Sequence, residues 1–346
     1  MKMRPMDWNC APTCIGSLPH KDPAKALDLV ISSLRELPFW PQLPALGFGE
    51  NMYAQFSTKL PGVRIDPEAK KVVVDLDNYD PERFYTAVVE EDVDFFAYEK
   101  ENFRGFFEFI GRKLPSGIKA VKGQITGPIS TGLQIFDQTG KSALYDEFYG
   151  EIVRKDLNLC AKWQERKLKE RSDNVIIFLD EPSLSLVGTP FAPISRENVV
   201  QWIDEVLDGL TCIKGLHCCG NTDWPMVLST DIDILSFDAY SYAFSIALYP
   251  KEVKAFLDKG GVLSWGIIPN MDSKLEKESV PSLVKRLEDG IELMVSKGID
   301  RDTILRRSLL TPQCGMEGLD EAQCVRVLEL LNGVSDAMRG KHQLGE

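Results

Sequence analysis

Short apolar runs rich in β-branched residues alternate along the chain with longer stretches whose apolar positions recur every three to four residues. The short runs fall at 13–17, 43–48, 118–125, 175–180, 213–217, 232–238, 262–267 and 307–311 and predict strands. Amphipathic stretches at 23–37, 144–171, 196–210, 250–259, 280–297 and 320–338 predict helices between most of them. Neighbouring parallel strands need crossover connections, so the pattern predicts repeated βαβ units. Eight such strands predict an α/β fold: one closed (β/α)8 barrel of the TIM type over residues 1–346. Residues 51–116, dense in Phe, Tyr and acidic side chains, break the alternation and predict an insertion between the second and third strands. No Gly-x-Gly-x-x-Gly turn follows a strand, which argues against a dinucleotide-binding sheet.

Composition narrows the partners. A net charge of −12 argues against nucleic acid, whose phosphates call for clustered Lys and Arg. No apolar run approaches the ~18 residues of a membrane helix, and Met1–Pro5 opens no signal-peptide core. Both observations predict a cytoplasmic protein. In a reducing compartment the eight cysteines read as packing residues or metal ligands rather than disulfides. Cys10, Cys160, Cys212 and Cys324 have no polar sequence neighbourhood and read as packing residues.

A barrel gathers its chemistry at the C-terminal ends of its strands. Ser17, Asp180, His217, Asp238 and Cys314 all fall at such ends. His217 closes one apolar strand and leads into Cys218-Cys219-Gly220. Alternate strand residues share a face, so His217 and Cys219 point together and Cys218 points away. Cys314, in Thr311-Pro312-Gln313-Cys314-Gly315 after the last strand, adds a third ligand on the same rim. Two thiolates and an imidazole favour zinc over magnesium or calcium, and three ligands leave one position open. Asp238 ends the next strand and offers either a weak fourth ligand or a carboxylate that holds the His217 ring.

The set His217-x-Cys219 with Cys314-Gly315 resembles the cobalamin-independent methionine synthases and methylcobamide:thiol methyltransferases, in the uroporphyrinogen decarboxylase-like superfamily of barrels. Ile15-Gly16-Ser17-Leu18-Pro19 is similar to the loop that binds homocysteine in the methionine synthases, and Asp180-Glu181-Pro182 to the motif whose Asp meets the homocysteine amino group. Gly49-Glu50-Asn51-Met52 resembles a segment that supplies a further substrate-contacting Glu. His217 to Thr222 looks more like the corrinoid-linked coenzyme M methyltransferases. The resemblance implies binding residues Ile15, Gly16, Ser17, Glu50 and Asp180, and zinc on His217, Cys219, Cys314 and more weakly Asp238.

What the resemblance implies is transfer of a methyl group to a zinc-bound thiol, homocysteine giving methionine, with a coenzyme M-like thiol as the alternative. A metal-bound thiol is held as the thiolate that methyl transfer needs. Two of the family's folate contacts are absent: Gln134 replaces a stacking Trp, and Leu186 a Glu. These departures favour a methylcorrinoid donor, carried on a corrinoid protein, over a methyl-folate. The rivals are a uroporphyrinogen decarboxylase-like lyase and a non-catalytic zinc barrel within a methyltransferase complex.

Overall fold

The computed structural model describes residues 6–345. Met1–Pro5, on which the expectation of no signal peptide falls, lie outside that range. The strands are β1 (Ala11–Pro12), β2 (Val63–Asp66), β3 (Lys71–Val74), β4 (Val121–Thr126), β5 (Ile135–Phe136), β6 (Val175–Asp180), β7 (Ile213–Cys218), β8 (Ile234–Phe237), β9 (Val262–Ile268) and β10 (Ser308–Pro312). Seven make one sheet in the order β1-β10-β9-β8-β7-β6-β4, and every pairing in it is parallel. All residues of β4, β6, β8, β9 and β10 are buried, as expected for a parallel sheet covered on both faces. The six predicted helices form at Pro23–Ser33, Glu147–Lys169, Arg196–Leu207, Pro250–Asp258, Val280–Val295 and Glu321–His342. Asp22, Asp146, Ser195, Ser279 and Asp320 cap five of them with side-chain oxygens on the first free N–H groups.

Seven strands, not eight, build the sheet. The stretch 43–48 forms two 3-10 turns, Pro44–Leu46 and Phe48–Glu50, around Gly47 at φ 137°. Just before it, 39–42 is joined by one parallel bridge to each edge of the sheet, Ser17 to Gln42 and Phe39 to Lys122. Pro38 and Pro41 lack the N–H groups a continuous ladder needs, so this seam stays a pair of single bridges. The sheet curls like a TIM barrel, with its two edges meeting across the seam.

Residues 51–116 contain the antiparallel pair β2–β3 and helices Glu82–Val89 and Arg104–Gly111. β3 also pairs with β5, which follows β4. The aromatic residues of this stretch pack against Trp40 of the seam and Trp163 of the helix Glu147–Lys169. Tyr98 stacks on Phe103 with ring centroids 3.9 Å apart, and Phe103 and Phe106 meet Trp40. Gln164 ties the contact together. It accepts from Trp40 Nε1 at 2.8 Å and donates to the Tyr98 hydroxyl at 2.7 Å and the Gln124 carbonyl at 3.0 Å.

Candidate metal centre and the pocket beside it

β7 carries His217 to the rim and turns immediately, so Cys219 is the first residue past the strand. β10 ends at Pro312, two residues before Cys314. One ligand atom from each of His217, Cys219 and Cys314 lies within 4.8 Å of the others. Cys218 points away into the core, where burial pushes its thiol up to about 12. All eight cysteines are free, and Cys10, Cys14, Cys160, Cys212 and Cys324 are buried, as packing residues should be.

The donor set fits a soft divalent metal such as zinc. His217 Nδ1 is 3.0 Å from the Ser236 hydroxyl, while Nε2 is buried and without a partner. An unpaired buried ring nitrogen is costly unless something binds it. The Cys314 thiol, and then the His217 ring beside it, hold the Cys219 thiol far below its usual value. A bound cation would draw off the Cys314 proton too.

Asp238 does not join the cluster. It caps the helix Ala239–Ile246, with Oδ1 accepting from Ser241 N and Gln313 Nε2, each at 2.8 Å. Nor does it hold the His217 ring, a task that falls to Ser236 on the neighbouring strand, directly paired with His217. Asp238 lies one residue past the end of β8, where its carboxylate is engaged by Ser241 and Gln313.

Asp180 ends β6, paired in register with His217. Its carboxylate is buried, Oδ1 has no partner, and burial pushes it up to about 6. Glu181 is spent on structure, accepting from Ile129 N, Ser130 N and Ser130 Oγ at 2.6–2.9 Å. Ile15, Gly16 and Ser17 follow β1 and approach the rim from the other side. The Ser17 hydroxyl donates to Glu317, and a side chain on Gly315 would strike that hydroxyl. Glu50 is buried with both oxygens engaged, by Arg104 N and by Gln55 Nε2, each at 3.1 Å. Burial pushes it up to about 7.

Four residues with clear roles were not read from the sequence: Ser236, Gln313, Lys122 and Tyr53. Ser236 carried no signal beyond its place on a strand next to His217. Tyr53 is half-buried, its phenol pushed up to about 12 by burial and then by the charges of Glu181, Cys219, Cys314 and Asp180. It also lines a cavity of about 460 Å3 with Phe48, Lys70, Lys71, Gln134 and Phe136.

No family model matches the chain. A methionine synthase of Methanocaldococcus jannaschii is 24% identical over 208 residues, 60% of this chain and 61% of the relative. The chain thus spans about three fifths of the curated relative it matches. A B12-independent methionine synthase of a Shewanella species, solved with selenomethionine, has TM-score 0.58 at 15% identity, covering 96% of this chain and 99% of that one. A putative B12-independent methionine synthase of Listeria monocytogenes has TM-score 0.53 at 14% identity, covering 97% and 99%. The methylcorrinoid donor and corrinoid protein partner expected from the sequence find no support in these comparisons. By sequence the chain is similar to a methionine synthase, and its fold is that of the B12-independent methionine synthases.

Proposed function

We propose that this chain is a cytoplasmic zinc methyltransferase, one barrel domain with 51–116 inserted, that methylates the thiol of homocysteine to give methionine. The observation that carries the reading is the pairing of two unsatisfied groups on adjacent strands. His217 Nε2, beside two sulfurs, awaits a metal, and Asp180 Oδ1, beside His217, awaits a donor. An amino-acid thiol answers both, with sulfur to the metal and ammonium to the carboxylate.

Zinc bound to His217, Cys219 and Cys314 would hold the acceptor's sulfur as thiolate. The remaining work belongs to the chain. Asp180 orients the ammonium, and the N–H groups of the Ile15–Ser17 loop face the acceptor's carboxylate. Glu50 borders the pocket through Gln55 rather than by a free oxygen. Ser236 fixes the His217 ring so that one nitrogen remains for the metal. The methyl donor approaches past Tyr53 from the cavity that Gln134 lines.

A decarboxylating lyase for a polycarboxylate would need several cations in the pocket, whereas this one presents Asp180, Glu50 and Glu317. Three protein ligands also differ from the four that close a structural zinc site. The test is methionine formation from homocysteine and methyl-tetrahydrofolate by zinc-loaded protein, with methylcobalamin as the comparison donor. Zinc-dependent methionine is expected with the folate donor. Asp180→Asn should weaken homocysteine binding about tenfold or more while leaving about one zinc per chain. Methionine formation that survives zinc removal overturns the reading, as does homocysteine binding unmoved by Asp180→Asn.

A further inference from the structure

β4 turns Lys122, Gln124 and Thr126 to one face, since alternate strand residues share a side. Lys122 is fully buried, the one buried Lys or Arg side chain among the described residues. It makes no ion pair there. Its ammonium donates to the Ile15 carbonyl and to Gln124 Oε1 at 3.2 Å, and lies 4.5 Å from the Phe178 ring centroid. The acid whose charge it feels most is Asp180. Burying a cation without a partner is costly, and an apolar side chain of similar volume would fill the space more cheaply. Packing therefore gives no reason for a charge at this place.

The loop above it gives one. The Gly16 and Ser17 carbonyls are taken by Gln42 N and Met316 N, both at 3.0 Å, while the N–H groups of Ile15, Gly16 and Ser17 have no acceptor among the described residues. A Cβ on Gly16 would lie 2.8 Å from the Gln124 side chain and 3.0 Å from Gln42, so the loop rests directly on this polar floor. We propose that Lys122 is a positioning residue and the positive pole of the acceptor pocket, clamping the Ile15 carbonyl and favouring the acceptor's carboxylate as Asp180 favours its ammonium. The inference rests on reading the site as one for an amino-acid thiol.

The test is calorimetric binding of three thiols to zinc-loaded protein: homocysteine, 3-amino-1-propanethiol, which lacks the carboxylate, and 4-mercaptobutanoate, which lacks the amine. Lys122→Met should weaken homocysteine binding about ten- to hundredfold. It should erase the preference over 3-amino-1-propanethiol and keep the preference over 4-mercaptobutanoate. Zinc content and melting temperature should hold or rise. Lys122→Gln, which keeps a donor for Ile15 but no charge, should fall between. A parent protein that distinguishes none of the three thiols defeats the acceptor reading itself. A parent that distinguishes them, with Lys122→Met retaining the full preference, defeats only the role of Lys122. Loss of zinc or of folding in both variants also overturns it, because a structural role would then suffice.

Discussion

The metal rim and the acceptor floor are neighbours in space but are built in opposite ways. The rim takes two ligands from three consecutive residues and a third from the end of one more strand. One hydroxyl on the adjacent strand supports it. The floor is a buried set of polar side chains drawn from three segments. Lys122 meets Gln124, Gln124 donates to the Trp40 carbonyl at 3.0 Å, Gln42 donates to Gln55 at 3.0 Å, and Gln55 donates to Glu50. The rim is local chemistry on rigid strand ends. The floor exists only once distant segments have packed, and each of its members is costly to leave unpaired. Variants should therefore separate metal binding from stability.

Removing a ligand is the strongest blow to that division. Cys219→Ser or Cys314→Ser should reduce metal affinity by about a hundredfold or more, with helical content retained. Elemental analysis after dialysis would show the loss, and full zinc in either variant would break the ligand assignment. Gln164→Leu attacks the other side. It strands Trp40 Nε1, the Tyr98 hydroxyl and the Gln124 carbonyl, and should cost roughly 3 kcal/mol of stability. Denaturant melts would measure that, and zinc stoichiometry in the folded variant should stay at the parent's value.

Ser236→Ala sharpens the comparison. It should weaken zinc binding by roughly ten- to a hundredfold through loss of ring orientation, with little change in the denaturation midpoint of the metal-free protein. Competition with a chelator reads the first quantity. The smallest effect concerns pH. Glu50 is raised in the folded state from 4.5 to about 7, so its share of stability is fully present below about pH 4.5 and lost as pH rises through about 7. Glu50→Gln should remove that decline. An unchanged slope of stability between pH 5 and 8 would show that Glu50 is not the group responsible.

The same contrast explains what could be read from the sequence. Strands β6, β7, β9 and β10 and the six helices follow from hydrophobic period and caps, because each is a local pattern. His217, Cys219 and Cys314 stood out because rare residue types coincided with strand ends. The second strand was misplaced because 43–48 carries apolar residues but also Pro44 and a Gly47 that bends the chain, while the segment at the seam holds two prolines. Asp238 was read from its strand-end position as either a weak fourth ligand or the support of the His217 ring, whereas Ser236 meets that ring and Asp238 caps the following helix. Lys122 was invisible for a different reason. A lysine within a strand pattern reads as an outward-facing residue, and only the closed face of β4 shows that it points inward.

The seam between the two edges has a consequence for how the molecule comes to be made. β1 pairs only with β10, Ala11 against Leu309 and Pro12 against Leu310. The partners lie near opposite ends of the described chain, so their contact carries nearly the largest loop-closure entropy available to it. During synthesis the first strand waits without a partner until the last has been made. The loop that follows it, with Ser17 resting on Gln42 and Met316, cannot take its final form before then. The pocket is thus assembled last, and a nascent chain already folded through β9 would still have no acceptor site.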